Sequence, residues 1–129
     1  MLTRQIAAYA VLGVMFCGQA VAQAALPDCP ARLRVLNEPP GEPFACICTR
    51  EIQRQEGTVK VYGSGPYDSV SNICLAAIHA GVTPPDGGPV LVVPRPPEDS
   101  FVGTVANGIH SDDWGKSLFN TWDVEAVDQ

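Results

Sequence analysis

The sequence predicts an α+β domain: one central buried helix wrapped by short strands in two sheets and stapled by disulfides. Three observations lead there. Residues 67–81 read Y-D-S-V-S-N-I-C-L-A-A-I-H-A-G, with Val70, Ile73, Cys74, Ala77 and Ile78 at helical spacing. Leu75 and Ala76 fill the opposite face, and a helix that is apolar all round is normally enclosed by protein. Around it lie short apolar runs punctuated by Gly and Pro clusters, the pattern of short strands. Four cysteines, Cys29, Cys46, Cys48 and Cys74, supply the staples.

The helix has local start and stop signals. Asp68 or Ser69 can cap its N-terminus through a side-chain oxygen. Gly81 stands where a C-terminal cap needs positive φ. About 12 residues span roughly 18 Å, too short for a bilayer.

The first 22 residues are expected to lie outside the domain. They carry one positive charge (Arg4), an apolar run over 6–16 and the small-residue end Ala20-Val21-Ala22, which is the composition of a Sec-type signal peptide. Residues 1–22 are therefore read as a leader and 23–129 as the domain, giving an exported chain, periplasmic or secreted, with no transmembrane segment once clipped. Cys17 raises a lipoprotein alternative, which the bulky Phe16 before it disfavours.

Clipping leaves four cysteines in about a hundred residues, and in an exported chain this implies a disulfide framework. A Cys46–Cys48 bridge is disfavoured because residues two apart in a strand point the same way. Two pairings remain open, Cys29–Cys46 with Cys48–Cys74, and Cys29–Cys48 with Cys46–Cys74. A four-thiolate zinc site lacks the usual paired C-x₂-C knuckles, so no metal is expected.

In chain order, residues 26–43 are a Pro- and Arg-rich lead-in tied down at Cys29. Residues 44–49 alternate as a strand with both cysteines on one face. Residues 50–56 are charged and turn-like, and 58–62 form a second strand with Val59 and Val61 sharing a face. Gly63-Ser64-Gly65-Pro66 then turns the chain into the helix. After T-P-P-D-G-G-P, which two prolines keep from being helical, residues 90–93 form a strand buried on both sides. Residues 101–105 form another strand, Asn107-Gly108 is a turn signal, and a last strand is placed around 118–122.

Charge is uneven. Without the leader the chain holds 7 basic and 14 acidic residues, net −7. Residues 27–61 are balanced at five of each sign, while residues 62–129 hold two basic and nine acidic groups. Such a surface speaks against nucleic acid, whose phosphates demand a basic face. An anionic ligand would be drawn to Arg32, Arg34, Arg50, Arg54 and Lys60, which a Cys29–Cys46 bridge would hold near one another.

No catalytic constellation is expected. His79 as a base would need a nucleophile among Ser64, Ser69 or Ser71, and no G-x-S-x-G elbow is present. His110 beside Ser111-Asp112-Asp113 reads as solvated surface. Glu98-Asp99 are sequence neighbours and not carboxylates opposed across a cleft. Gly63 and Gly65 are not followed by the residues of a phosphate loop, so no cofactor is expected.

These stretches also carry a resemblance. V-Y-G-S-G-P-Y (61–67), S-x-x-C-x-A-A-x-H-A-G (71–81), Gly87-Gly88 before an apolar strand, and F-V-G-T-V-A-N-G-I-H-S (101–111) together resemble the LCCL domain family over about residues 29–122. Leu75, often polar in the family, and Tyr62, usually Trp, depart from the pattern without touching the fold. The resemblance implies the pairing Cys29–Cys46 with Cys48–Cys74 and a histidine at 79 not known as catalytic. It also implies a non-catalytic extracellular recognition module, with lipid or lipopolysaccharide as proposed ligands. The alternative is a structural or regulatory envelope protein that docks on a protein partner.

Overall fold

The computed structural model describes residues 25–33, 41–117 and 120–127. The expected leader, Arg34 and Leu118 lie outside the described residues. The elements run β1 (Phe44–Cys48), α1 (Arg50–Gln53), β2 (Tyr67–Asp68), α2 (Ile73–His79), β3 (Gly88–Arg95), β4 (Val105–Ala106), β5 (Ile109–His110) and β6 (Thr121–Glu125). They form a four-stranded antiparallel sheet ordered β1-β3-β6-β2 and a separate β4-β5 hairpin. This is the α+β, two-sheet arrangement the sequence predicts.

Register shows why the sheet closes on the helix. Cys46 faces Val90, Phe44 faces Val92, Val92 faces Val124, and Trp122 faces both Pro94 and Tyr67. Directly opposed side chains share a face, so these residues form one inward layer in which Cys46, Val90, Val92, Trp122 and Tyr67 are at most 1% exposed. Tyr67 and Trp122 pack with ring centroids 5.4 Å apart. Residues 90–93 differ from the expectation of burial on both sides. Leu91 and Val93 are only half-buried, since they alternate with Val90 and Val92 and point away from the inward layer.

Helix α2 lies over the inward layer and packs against α1, β5 and β6. Ile73, Cys74, Ala76, Ala77, Ile78 and His79 are buried, and Leu75 is partly buried. Its C-terminus is as expected. Gly81 has φ +78°, its N–H donates to the Ile78 carbonyl, and the Val82 N–H donates to the Ala77 carbonyl. That is a Schellman cap. Its N-terminus lies later than expected. Asn72 is the cap, accepting from the Leu75 N–H at 2.9 Å, and its amide donates to the Ile52 carbonyl at 2.9 Å. Asp68 is unavailable as cap because residues 67–68 pair with β6, and its carboxylate instead accepts from the Val70 N–H in a turn.

Residues 50–53 form a short helix where a turn is expected, with Thr49 as N-cap accepting from Ile52 N–H. Its buried Ile52 docks under Asn72. Residues 58–62 belong to no sheet. Val61 is 1% exposed but Val59 is 51% exposed, so the two do not share a face. Residues 101–105 make only a single bridge, Phe101 with Trp114, before β4. The last strand begins at Thr121.

The disulfides are Cys29–Cys46 and Cys48–Cys74, with Cα separations of 4.8 and 5.3 Å. Cys48 Sγ also lies 3.6 Å from Cys29 Sγ, so the two bridges touch in the core. The first fastens residues 27–29 alongside β1, where Asp28 pairs in parallel with Ile47. The second fastens β1 to α2.

Candidate ligand-binding groove

Two places hold the chemistry weighed from the sequence: the buried ring of His79, and a groove in front of residues 58–62. His79 is 3% exposed and both ring nitrogens are engaged. Nδ1 lies 2.9 Å from the Tyr67 hydroxyl, while Nε2 lies 3.0 Å from Thr104 Oγ1 and 3.2 Å from the Thr104 carbonyl. A carbonyl only accepts, which assigns the proton to Nε2 and leaves Nδ1 to accept from Tyr67. Burial, reinforced by the Asp123 carboxylate, pushes the Tyr67 phenol well above its ordinary range, so it retains its proton to donate. The ring thus ties β2, α2 and the 104 segment together. Ser71, weighed as a nucleophile, instead binds the Tyr62 N–H and carbonyl at 2.9 and 3.2 Å. A ring held on both sides by Tyr67 and Thr104 is a strut.

The groove is built from three distant segments. Residues 60–63 lie beside 112 through a parallel bridge, in which the Asp112 N–H donates to the Val61 carbonyl and the Gly63 N–H to the Asp112 carbonyl. Trp114 is fixed by paired hydrogen bonds with Phe101, at 2.8 and 3.0 Å. Arg32 sits between buried Ala31 and Leu33, and the Ile73 N–H binds the Ala31 carbonyl at 2.8 Å. The result is a cavity of about 210 Å³ lined by Arg32, Thr58, Lys60, Tyr62, Val70 and Trp114.

Its chemistry is part aromatic and part cationic. Tyr62 and Trp114 pack as a tilted pair with centroids 4.6 Å apart, and Trp114 is 40% exposed. Lys60 pairs with Asp112 at 3.2 Å, an exposed ion pair that contributes little stability. Arg32 is half-buried, its Nε is shut off from solvent, and its guanidinium has no hydrogen bond or ion pair among the described residues. Arg32, Lys60 and Asp112 together leave one net positive charge.

The five cations singled out from the sequence do not form one patch. Arg32 and Lys60 meet in the groove. Arg50 instead pairs with Asp86 at the loop after α2. Arg54 is exposed at the C-cap of α1 and does not line the cavity, and Arg34 lies outside the described residues. Trp114 was missed. Its signal is a lone tryptophan in the polar run S-D-D-W-G-K, where sequence neighbours cannot bury it. A larger cavity, about 400 Å³, opens at the end of α2 beside Ile78, Val82, Thr83, Pro84, Pro85 and Asn107. Among the described residues no charged side chain lines it, and the Asn107 amide is already spent on the His79 carbonyl.

Among the described residues no helix is long and apolar enough to cross a membrane. Fold and cystines together define a small disulfide-stapled α+β module. A family model described as the LCCL domain matches residues 22–121. The chain belongs to the LCCL domain family. It is 37% identical over 100 residues to clotting factor C of Tachypleus tridentatus, covering 78% of this chain and 10% of that protein. It is 49% identical over 51 residues to cochlin of Homo sapiens (40% of this chain, 9% of that protein). Vitrin of Mus musculus is 40% identical over 57 residues (44% and 9%). The chain spans about a tenth of the length of these curated relatives.

Proposed function

We propose that this chain is an exported, non-catalytic recognition module that binds an anionic envelope or extracellular ligand through the Arg32–Lys60–Tyr62–Trp114 groove. The observation that carries this reading is the Arg32 guanidinium, partly withdrawn from water and without a counter-ion among the described residues, beside a half-exposed aromatic pair. A cation so placed has already lost part of its hydration, and an incoming anion restores the missing partner. Lipid and lipopolysaccharide headgroups belong to the ligand class. Export is supported by the leader-like first 22 residues and by two buried cystines, which persist in oxidising compartments. The absence of catalysis is supported by His79, whose ring is engaged on both sides.

The test is binding of phosphatidylglycerol vesicles, lipid A and acidic oligosaccharides by the oxidised chain at low and moderate salt. Arg32→Glu should abolish binding, and Arg50→Glu, at the separate Asp86 pair, should leave it within twofold. Equal losses in both variants would mean that a diffuse charge field and not the groove is responsible. A second reading, docking on a protein partner, is favoured by Val102 and Val105, which are 66% and 69% exposed.

A further inference from the structure

We infer that the groove takes a single carboxylate-bearing sugar ring of the hexuronate class, its apolar ring face on Trp114 and its carboxylate on Arg32. This rests on the groove being the recognition site. Three features of the groove select the ligand: its size, its charge and the make-up of its walls.

Size comes first. At about 210 Å³ the groove falls below the roughly 300–1,000 Å³ of sites that enclose drug-sized ligands. It accommodates one ring and not a bundle of acyl chains. Charge comes second. Lys60 is already matched by Asp112, so of the cations lining the groove among the described residues Arg32 is the one left to a ligand. A carboxylate carries one negative charge and fits the planar guanidinium fork. A phosphate monoester carries about −1.5 to −2, and the excess would stand beside Asp112 in the half of the chain whose net charge is −7.

The walls come third. A tryptophan 40% exposed and tilted against Tyr62 gives an apolar shelf that remains open to water. A pyranose has the matching division: C–H bonds on its faces and hydroxyls around its edge. Aromatic residues are suited to such half-wet contacts because one part of the site is apolar and another polar. Lys60 lines the groove as a donor for the hydroxyls, with the Asp112 carboxylate paired to it as an acceptor, while Val70 adds to the apolar side.

The test uses the oxidised full chain and a tetrasaccharide of alternating glucuronate and N-acetylglucosamine, read by titration calorimetry and by tryptophan fluorescence. Of the two tryptophans only Trp114 is exposed, since Trp122 is 0% exposed, so a ligand-induced change reports on the groove and should vanish in Trp114→Phe. The acidic tetrasaccharide should bind saturably, at least tenfold more tightly than neutral chitotetraose or glucose 6-phosphate, and several-fold more weakly at 0.3 M salt. Arg32→Gln should lose at least tenfold for the acidic sugar and nothing for the neutral one. Trp114→Ala, at an exposed position, should weaken binding in calorimetry while the melting temperature holds, which keeps the test decisive where Arg32→Gln lowers stability. Equal affinity for acidic and neutral sugars would overturn the inference. So would Arg32-dependent binding of glucose 6-phosphate or phosphatidylglycerol vesicles with none of glucuronate, which would leave the groove reading standing. Silence toward every probe would remove both.

Discussion

Replacing His79 by alanine tests whether the buried ring is a strut. The substitution strands the Tyr67 hydroxyl, a donor on a side chain that is 0% exposed and has no other hydrogen-bond partner among the described residues. A buried polar group left unpaired costs about 1–3 kcal/mol. Removing an imidazole from a 3% exposed site also leaves a void, and large-to-alanine changes in cores cost about 2–5 kcal/mol. The two costs overlap, since the void lets Tyr67 relax or admits water, so the expected loss is about 3 kcal/mol. For a domain of this size that is a drop of about 15 °C in melting temperature. Tyr67→Phe removes one hydrogen bond and should cost about 1–2 kcal/mol. The two changes should be non-additive by about 1 kcal/mol in a double-mutant cycle, because they delete the same contact. Thermal unfolding by circular dichroism, with both disulfides intact, measures all four corners. A His79→Ala melting temperature within 2 °C of the parent, or strict additivity, would refute the strut.

Three further outcomes follow from the same core. Ala77→Asp places a carboxylate at 0% exposure against apolar neighbours and should prevent cooperative unfolding; a parental melting curve would put α2 on the surface. Stability should fall as pH rises above about 10, by about 1.4 kcal/mol per unit, because the unfolded Tyr67 ionises there while the folded one, raised by burial and Asp123, holds its proton. Tyr67→Phe should flatten that alkaline slope, and an unchanged slope would assign it elsewhere. Removing the Cys48–Cys74 bridge with paired serines frees a loop whose ends are 26 residues apart and should cost about 3.5 kcal/mol in denaturant titration; a loss below 1 kcal/mol would mean that packing alone fastens β1 to α2.

The features legible in the sequence are those determined locally. The C-terminus of α2 was readable because Gly81 meets a steric requirement set within six residues. The strand carrying Cys46 and Cys48 was readable because i, i+2 cysteines must share a face. The start of α2 was not, since Asp68 has the right side chain for a cap but its backbone is claimed by Thr121, 53 positions away. Val59 and Val61 alternate in the chain like a strand, yet the segment meets only an isolated bridge, Tyr62 with Asp112, and no sheet, and one valine is buried and the other exposed. The groove was half legible. Arg32 and Lys60 stood out as cations, but Arg50 lies outside the groove and pairs with Asp86, and their aromatic companion Trp114 comes beside them next to the bridge between Tyr62 and Asp112. Charge counting along a chain cannot show which cations already have partners in space.

The strip 27–29 along β1 bears on self-association. In the four-stranded sheet β1 is an end strand, and an open end of this kind is a template on which a second molecule can polymerise. Here the Cys29 N–H binds the Ile47 carbonyl at 2.9 Å and the Ile47 N–H binds the Pro27 carbonyl at 2.8 Å, so those edge groups are already occupied. An intruding strand would have to peel the strip away, and Cys29–Cys46 welds it to the very strand it covers. At the other end of the sheet β2 offers only two residues, too short a landing for a stranger's backbone. The first cystine thus does a second job besides tethering the chain: it holds a cover over the edge groups of Ile47, and that cover is fastened only while the surroundings stay oxidising.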